Sequence, residues 1–387
     1  MNYNFDEIVN REGTNCVKYD FRKMYFGNED VLPLWVADMD FKTPDFIINA
    51  LRQRLDHEIL GYTFRSESYY SAIINWMKTK HNWDIRENWI SYSPGVVAGL
   101  TLSVEAFSEK GDEVILQPPV YNPFFDSINM TERKLVENPL KIINGRYTFD
   151  FDDLKRKITD KTKLLFLCNP HNPGGMVWTK DELNSLADIC LERGVMVISD
   201  EIHSDLVFEG HKHIPFASLS EEAANNSVVC MAGSKTFNIA GLTTSFLVIP
   251  NKENFVKYER ILHIPHLHMG NILGHVALEA AYTEGSDWLW QLMIYLKGNY
   301  DFVEDYLKGT RIVPMKPEAT YMVWLDFSSY GLPDDELNKC IIGAGVGLNR
   351  GVQFGKQGSG YMRLNIGCPR SVVEKALERI VKVLESS

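Results

Sequence analysis

Short apolar runs alternate with amphipathic stretches through the middle of the chain, and this rhythm predicts most of its architecture. Leu164-Leu165-Phe166-Leu167-Cys168 contains no polar position, the pattern of a strand buried on both faces. Beyond a loop rich in Asn and Pro, Thr179 and Glu182 stand at capping-box spacing. Leu183, Leu186, Ala187, Cys190 and Leu191 then recur at helical spacing, which predicts one apolar face. Gly194 supplies the stop, and Val195-Met196-Val197-Ile198 reads as the next strand. A strand–helix–strand unit of this kind makes its two strands parallel.

The last part of the chain has a different character. Tyr321-Met322-Val323-Trp324-Leu325 and Tyr361-Met362-Arg363-Leu364-Asn365-Ile366 both read as strands. Ser371 and Glu374 have the spacing to cap a final helix, with Val373, Ala376, Leu377, Ile380 and Leu384 on its inner face. Strands mixed with helices after a long helical stretch fit a smaller α+β unit. The 387 residues also exceed what one hydrophobic core usually supports, so two domains are expected. No internal repeat and no Gly/Ser linker divides the chain.

Composition narrows the functional classes. Hydrophobic residues make up 45% and charged residues 24%, ordinary for a globular protein. The net charge of −11 argues against nucleic acid or an anionic membrane as a main partner, since both require a cationic surface. No apolar run is long enough to cross a bilayer, and Met1 to Glu7 is polar and acidic rather than a signal peptide. The six cysteines are scattered without a Cys-x-x-Cys pair, which fits reduced, mostly buried thiols and a cytoplasmic protein. No metal site is expected.

Three chemical groups stand where buried strands stop. Lys235 lies in Met231-Ala-Gly-Ser-Lys-Thr-Phe-Asn238, shortly after Val228-Val229-Cys230-Met231. Asp200 follows Val195 to Ser199, and Asn172 lies in Asn169-Pro-His-Asn172-Pro-Gly-Gly175 after the Leu164 run. Open α/β sheets bind ligands at the carboxyl edge of their strands, so the three are expected to converge on one pocket. An amine, a carboxylate and an amide together suit an aldehyde cofactor with a pyridine ring. The amine can link covalently to the aldehyde, and the carboxylate can keep the ring nitrogen protonated. Ser93-Pro94-Gly95-Val96-Val97, just before the apolar positions Val97, Leu100, Val104 and Phe107, adds a helix N-terminus suited to an anion. Taken singly, each feature also reads as a turn, a cap or a surface charge; their order along the chain carries the inference.

From about Leu34 to Arg370 the chain resembles the fold-type I pyridoxal-phosphate enzymes, the aspartate-aminotransferase superfamily. The resemblance implies an α/β fold: a large domain with a mostly parallel seven-stranded sheet flanked by helices, plus a smaller α+β domain. Residues 1–50 would form the N-terminal part of the small domain, 51–285 the large cofactor-binding domain and 286–387 the rest of the small domain. It further implies pyridoxal 5'-phosphate linked to Lys235, with Asp200 on the ring nitrogen, Asn172 and His203 at the phenolic oxygen and Tyr121 stacked on the ring. Lys235, Tyr121 and Asp200 would be catalytic. The phosphate would take Gly95, Val96, Val97, Ser234 and, from a neighbouring subunit of a homodimer, Tyr62. Arg363 and Ala37 would hold the substrate carboxylate. Where many transaminases have arginine and serine, this chain has Thr243 and Ala232, so neutral donors would carry more of the phosphate.

Two strings resemble one branch in particular, the bacterial cystathionine β-lyase (C–S lyase) subgroup: Asp200-Glu-Ile-His203, where transaminases usually have tyrosine, and Trp35-Val-Ala-Asp-Met-Asp40-Phe41. The branch implies cleavage of cystathionine or a cysteine S-conjugate to a thiol, pyruvate and ammonia. Transamination between an amino acid and a 2-oxo acid uses the same residues and is the alternative. A third expectation is a regulatory protein that carries the cofactor and binds a partner.

Overall fold

A sheet buried on both faces forms where the all-apolar runs fall. In the computed structural model, which describes residues 3–385, seven strands make this sheet. They are β1 (Ile90–Ser93), β2 (Glu113–Leu116), β3 (Lys134–Glu137), β4 (Thr162–Cys168), β5 (Met196–Asp200), β6 (Ser227–Met231) and β7 (Ser245–Val248). Their order is β1-β7-β6-β5-β4-β2-β3; β7 runs antiparallel to both neighbours and the remaining pairs are parallel. Met1 and Asn2 of the acidic N-terminal stretch, and Ser386 and Ser387 at the far end, lie outside the described residues.

The period-2 alternation of β4 explains its composition. Leu164, Phe166 and Cys168 pack with Leu100 and Val104 on one face, while Leu165 and Leu167 pack with Leu183, Leu186 and Cys190 on the other. Covering both faces removes any place for a polar residue, which is why the run reads as continuous. The Thr179–Glu182 capping box is present and opens the helix Lys180–Glu192, and Gly194 comes after it at φ +65°. Leu191 does not join the apolar face: it is exposed, one step round from Cys190 and turned toward solvent.

A second, four-stranded antiparallel sheet contains β8 (Val313–Pro314), β9 (Met322–Asp326), β10 (Asn349–Arg350) and β11 (Tyr361–Asn365), in the order β8-β9-β11-β10. The short segment Leu32–Pro33 pairs in parallel with Val346–Gly347, joining the two ends of the chain. The final helix spans Arg370–Glu385, with Val373, Ala376, Leu377, Ile380 and Leu384 all buried. Its capping differs from the expected box. The helix already begins at Arg370, and the Pro369 carbonyl accepts from Val372 and Val373, so Ser371 lies inside the first turn.

Among the described residues no helix is long and apolar enough to cross a membrane. All six cysteines are free thiols; Cys168, Cys190, Cys230 and Cys368 are buried, and Cys16 and Cys340 are half-buried.

Candidate active site

β4, β5 and β6 end side by side, and the loop after each strand turns toward one cleft of about 660 Å³, counted with its open mouth. Ala37, Gly95, Val96, Val97, Tyr121, Asn172, Asp200, His203, Ser234 and Lys235 all line it. Arg363, on β11, reaches its edge through Asn172. Of the residues singled out from the sequence, Tyr62 alone is away from the cleft of its own chain, fully exposed beside Gly270, Asn271 and Ile272.

Local structure explains each placement. Asp200 is the last residue of β5, and the strand alternation sends it and Glu201 opposite ways. Glu201 turns inward to Ser199, His213 and the Phe216 N–H, while Asp200 faces the cleft and accepts from the Ile202 N–H at 3.0 Å. The Asn172 loop is closed by Gly175, at φ +71°, where a Cβ would sit 2.8 Å from Pro317. His171 in that loop bonds Pro119 O through Nε2 at 2.9 Å, and its Nδ1 accepts from Gly174 N. Burial lowers its pKa to about 4, so the ring is neutral and Nε2 carries the proton. This bond ties the Asn172 loop to the Pro119–Tyr121 loop and brings amide and phenol together.

Asn238 does the same for Lys235. Its side chain bonds the backbone of Met39 and Phe41, drawing residues 37–41 over the lysine loop. Lys235 Nζ donates to Ala37 O at 2.7 Å, and Tyr321 Oη donates to the same carbonyl at 3.0 Å. Neither Asn238 nor Tyr321 stands out in the sequence, because each acts on backbone atoms brought near only by the fold.

The electrostatics are dominated by burial. Burial, helped by the Arg363 charge, lowers the Lys235 pKa to about 8 against the pull of Asp38 and Asp200. Burial raises the Asp200 carboxyl to about 7 and lowers His203 to about 3, leaving that imidazole neutral. Burial also lowers Arg363 to about 10, still cationic at neutral pH. Arg363 donates to Asn172 Oδ1 (3.0 Å), Trp35 O (2.8 Å) and Asn349 Oδ1 (2.7 Å).

At the opposite end, the helix Val96–Phe107 starts at Gly95, whose φ of +108° suits glycine alone. Val97 is exposed here rather than on the helix's inner face, which is formed by Val96, Gly99, Leu100, Ser103 and Val104. Thr243 and Thr244, in the loop before β7, line the same end. Among the described residues, the buried Thr244 Oγ1, His203 Nδ1 and Arg363 Nε have no hydrogen-bond partner. Buried polar atoms left without partners in one cleft are donors and acceptors that suit a polar ligand. An aldehyde–pyridine–phosphate fits them: anion donors at Gly95–Val97 and the threonines, a carboxylate at Asp200, an amine at Lys235.

The model of the aminotransferase class I and II family matches residues 29–380. The chain belongs to this family. Among curated members it is 46% identical over 385 residues to the cystathionine β-lyase PatB of Bacillus subtilis, covering 98% of this chain and 100% of that one. Cystalysin from Treponema denticola, whose crystal structure contains pyridoxal 5'-phosphate, superposes with a TM-score of 0.97 at 36% identity, covering 100% of both chains. The pyridoxal-phosphate-bound C–S lyase of Staphylococcus hominis gives 0.94 at 37% identity, covering 99% of this chain and 98% of the other. This aminotransferase-family chain is thus similar end to end to enzymes named for carbon–sulfur cleavage.

Proposed function

We propose that the protein is a pyridoxal-phosphate-dependent carbon–sulfur β-lyase that converts cystathionine and water to homocysteine, pyruvate and ammonia. The observation that carries this reading is the meeting in one cleft of Lys235, Asp200, Asn172 and Arg363. The full-length likeness to named lyases supports the choice of reaction.

When bound, the cofactor supplies an electron-accepting ring that stabilises negative charge at the substrate Cα. Lys235 would hold its aldehyde carbon, and Asp200 would keep its ring nitrogen charged, a cation that would in turn draw the carboxyl below its raised value. Asn172 and the neutral His203 would bond its phenolic oxygen, Tyr121 would cover the ring, and Gly95, Val96, Val97 and Ser234 would meet its phosphate, with Thr243 and Thr244 beside them. Arg363 would grip the substrate carboxylate, which would place the Cα proton toward the Lys235 amine. Burial lowers the pKa of that amine, so it sheds its own proton more readily than an exposed lysine and can take the one from Cα. The Ala37 carbonyl accepts from that amine, and the Tyr321 hydroxyl, donating to the same carbonyl, fixes the carbonyl's position.

Purified protein incubated with cystathionine should release pyruvate and homocysteine in equal amounts. Amino-group transfer to 2-oxoglutarate, with no pyruvate, would sink the lyase reading.

The same reading makes the protein a cytoplasmic homodimer. Tyr62 is flanked by exposed Ile59, Leu60 and Phe64, an apolar surface suited to a second copy. Sedimentation should show a dimer. The Tyr62→Phe variant should stay dimeric while its cofactor dissociation constant rises about tenfold, the cost of one hydrogen bond to a charged group. An unchanged constant would remove Tyr62 from the phosphate site. The division into residues 1–50 with 286–387, and 51–285, is part of the same proposal, supported by the pairing of Leu32–Pro33 with Val346–Gly347.

A further inference from the structure

The N-terminal helical segments Val17–Asp20 and Arg22–Phe26 lie outside the cleft, yet a continuous set of contacts runs from them to Arg363. Arg363 Nη2 has two acceptors, Trp35 O and Asn349 Oδ1. Each acceptor is braced in turn by Tyr25. The Tyr25 ring stacks on the Trp35 indole, with centroids 4.0 Å apart and planes 25° from parallel. The Tyr25 hydroxyl accepts from Gln353 Nε2 at 2.6 Å, and Gln353 Oε1 accepts from Asn349 Nδ2 at 3.2 Å. The contacts therefore close a ring: Arg363, Asn349, Gln353, Tyr25, Trp35 and back to Arg363.

The ring is anchored on its outer side. The Trp35 Nε1 donates to Lys18 O at 3.0 Å, and Phe26 packs on Gly347, where a Cβ would meet its ring at 2.7 Å. Lys18 is fully buried against Asp40 at 2.9 Å. Tyr25 itself is 41% exposed and fills no core, so its burial does not explain the arrangement. Orientation does. A guanidinium binds a carboxylate well only when its plane is fixed, and Trp35 O and Asn349 Oδ1 together hold Arg363 Nη2 in place.

We propose that Tyr25 and Gln353 are positioning residues for Arg363, so that the surface N-terminal helix sets how tightly the site takes its substrate's carboxylate. The inference rests on the reading of Arg363 as the carboxylate-binding group.

Two variants of the cofactor-loaded protein test it. Tyr25→Phe keeps the stacked ring and loses only the hydroxyl; Gln353→Met breaks the chain one step further in. Each should raise KM for cystathionine about tenfold and leave kcat within about twofold, the signature of lost carboxylate binding. Calorimetric titration with propanoate, a carboxylate that cannot react, should show affinity falling by the same factor. The double variant should be no worse than the weaker-binding single one, because both cut one chain. Unchanged KM and unchanged propanoate affinity in both variants would overturn the inference. So would a loss of kcat and melting temperature with KM preserved, which marks a merely structural role. Should the wild type bind propanoate but release no pyruvate, the lyase reading falls while the titration still decides this one.

Discussion

Replacing Lys235 with alanine should lower pyruvate release from cystathionine by at least about 10³-fold, because on the proposed reading one side chain supplies both the cofactor link and the base. The same change does not unfold the protein. In the cofactor-free chain the Lys235 pKa is about 8, below its ordinary 10.5, because burial disfavours the cation. Between those values the unfolded chain holds a proton that the folded chain gives up, so stability rises with pH across that window. Below pH 8 the penalty is fully present. Cofactor-free Lys235→Ala should therefore melt at or above the wild-type temperature at pH 7, and that advantage should shrink between pH 8 and 10.5. Paired melting curves and pyruvate assays check both parts. Retained turnover would remove Lys235 from the chemistry, and a large melting loss would make it a structural residue.

With Asp200 on the ring nitrogen, as proposed, Asp200→Asn should give the second large effect. A neutral amide cannot hold a cation on the ring nitrogen, so kcat should fall by roughly 10²–10³-fold, the scale of losing a focused electrostatic contact. Stability moves the other way. Burial raises the folded Asp200 pKa from 3.8 to about 7. Below pH 3.8 both folded and unfolded chains are protonated here, and the group makes no difference. As pH rises toward 7 the unfolded chain ionises first, so the wild type progressively loses stability. Cofactor-free Asp200→Asn should match the wild type near pH 4 and exceed it increasingly up to pH 7, by on the order of 1–4 kcal/mol. Urea titrations at pH 4, 5.5 and 7 measure this. A gap that is equal at all three values would mean that Asp200 titrates alike in the folded and unfolded chains, with no raised pKa.

These two residues are also the most legible in the sequence, and the reason is geometric. Strand ends are marked by the collapse of an apolar run, so Asp200 after Ile198 and Lys235 after Met231 carry their position with them. Asn172 is legible through its loop. The rest of the site is built by contacts that leave no periodic trace. Tyr321 looks like the first residue of a buried strand; its hydroxyl finds Ala37 only because β9 and residues 34–40 both meet the end of β11. Asn238, Asn349 and Gln353 are ordinary polar residues until the chain closes around them. Thr244 is hidden for a simpler reason: the sequence points to Thr243, where arginine is missing, and the orphaned hydroxyl is its neighbour's. Helix faces are legible to within one residue. Leu191 and Val97 show the limit, since a residue at the edge of an apolar arc turns to solvent or to a cleft with little change in spacing. The Ser371–Glu374 spacing misleads because Pro369 starts the last helix earlier.

Borohydride reduction of the purified, cofactor-loaded protein, with peptide mass mapping afterwards, tests the central claim most directly. One pyridoxyl-phosphate mass should appear per chain, on the peptide that carries Lys235. The same mass on another lysine, or none after incubation with the cofactor, would contradict the account.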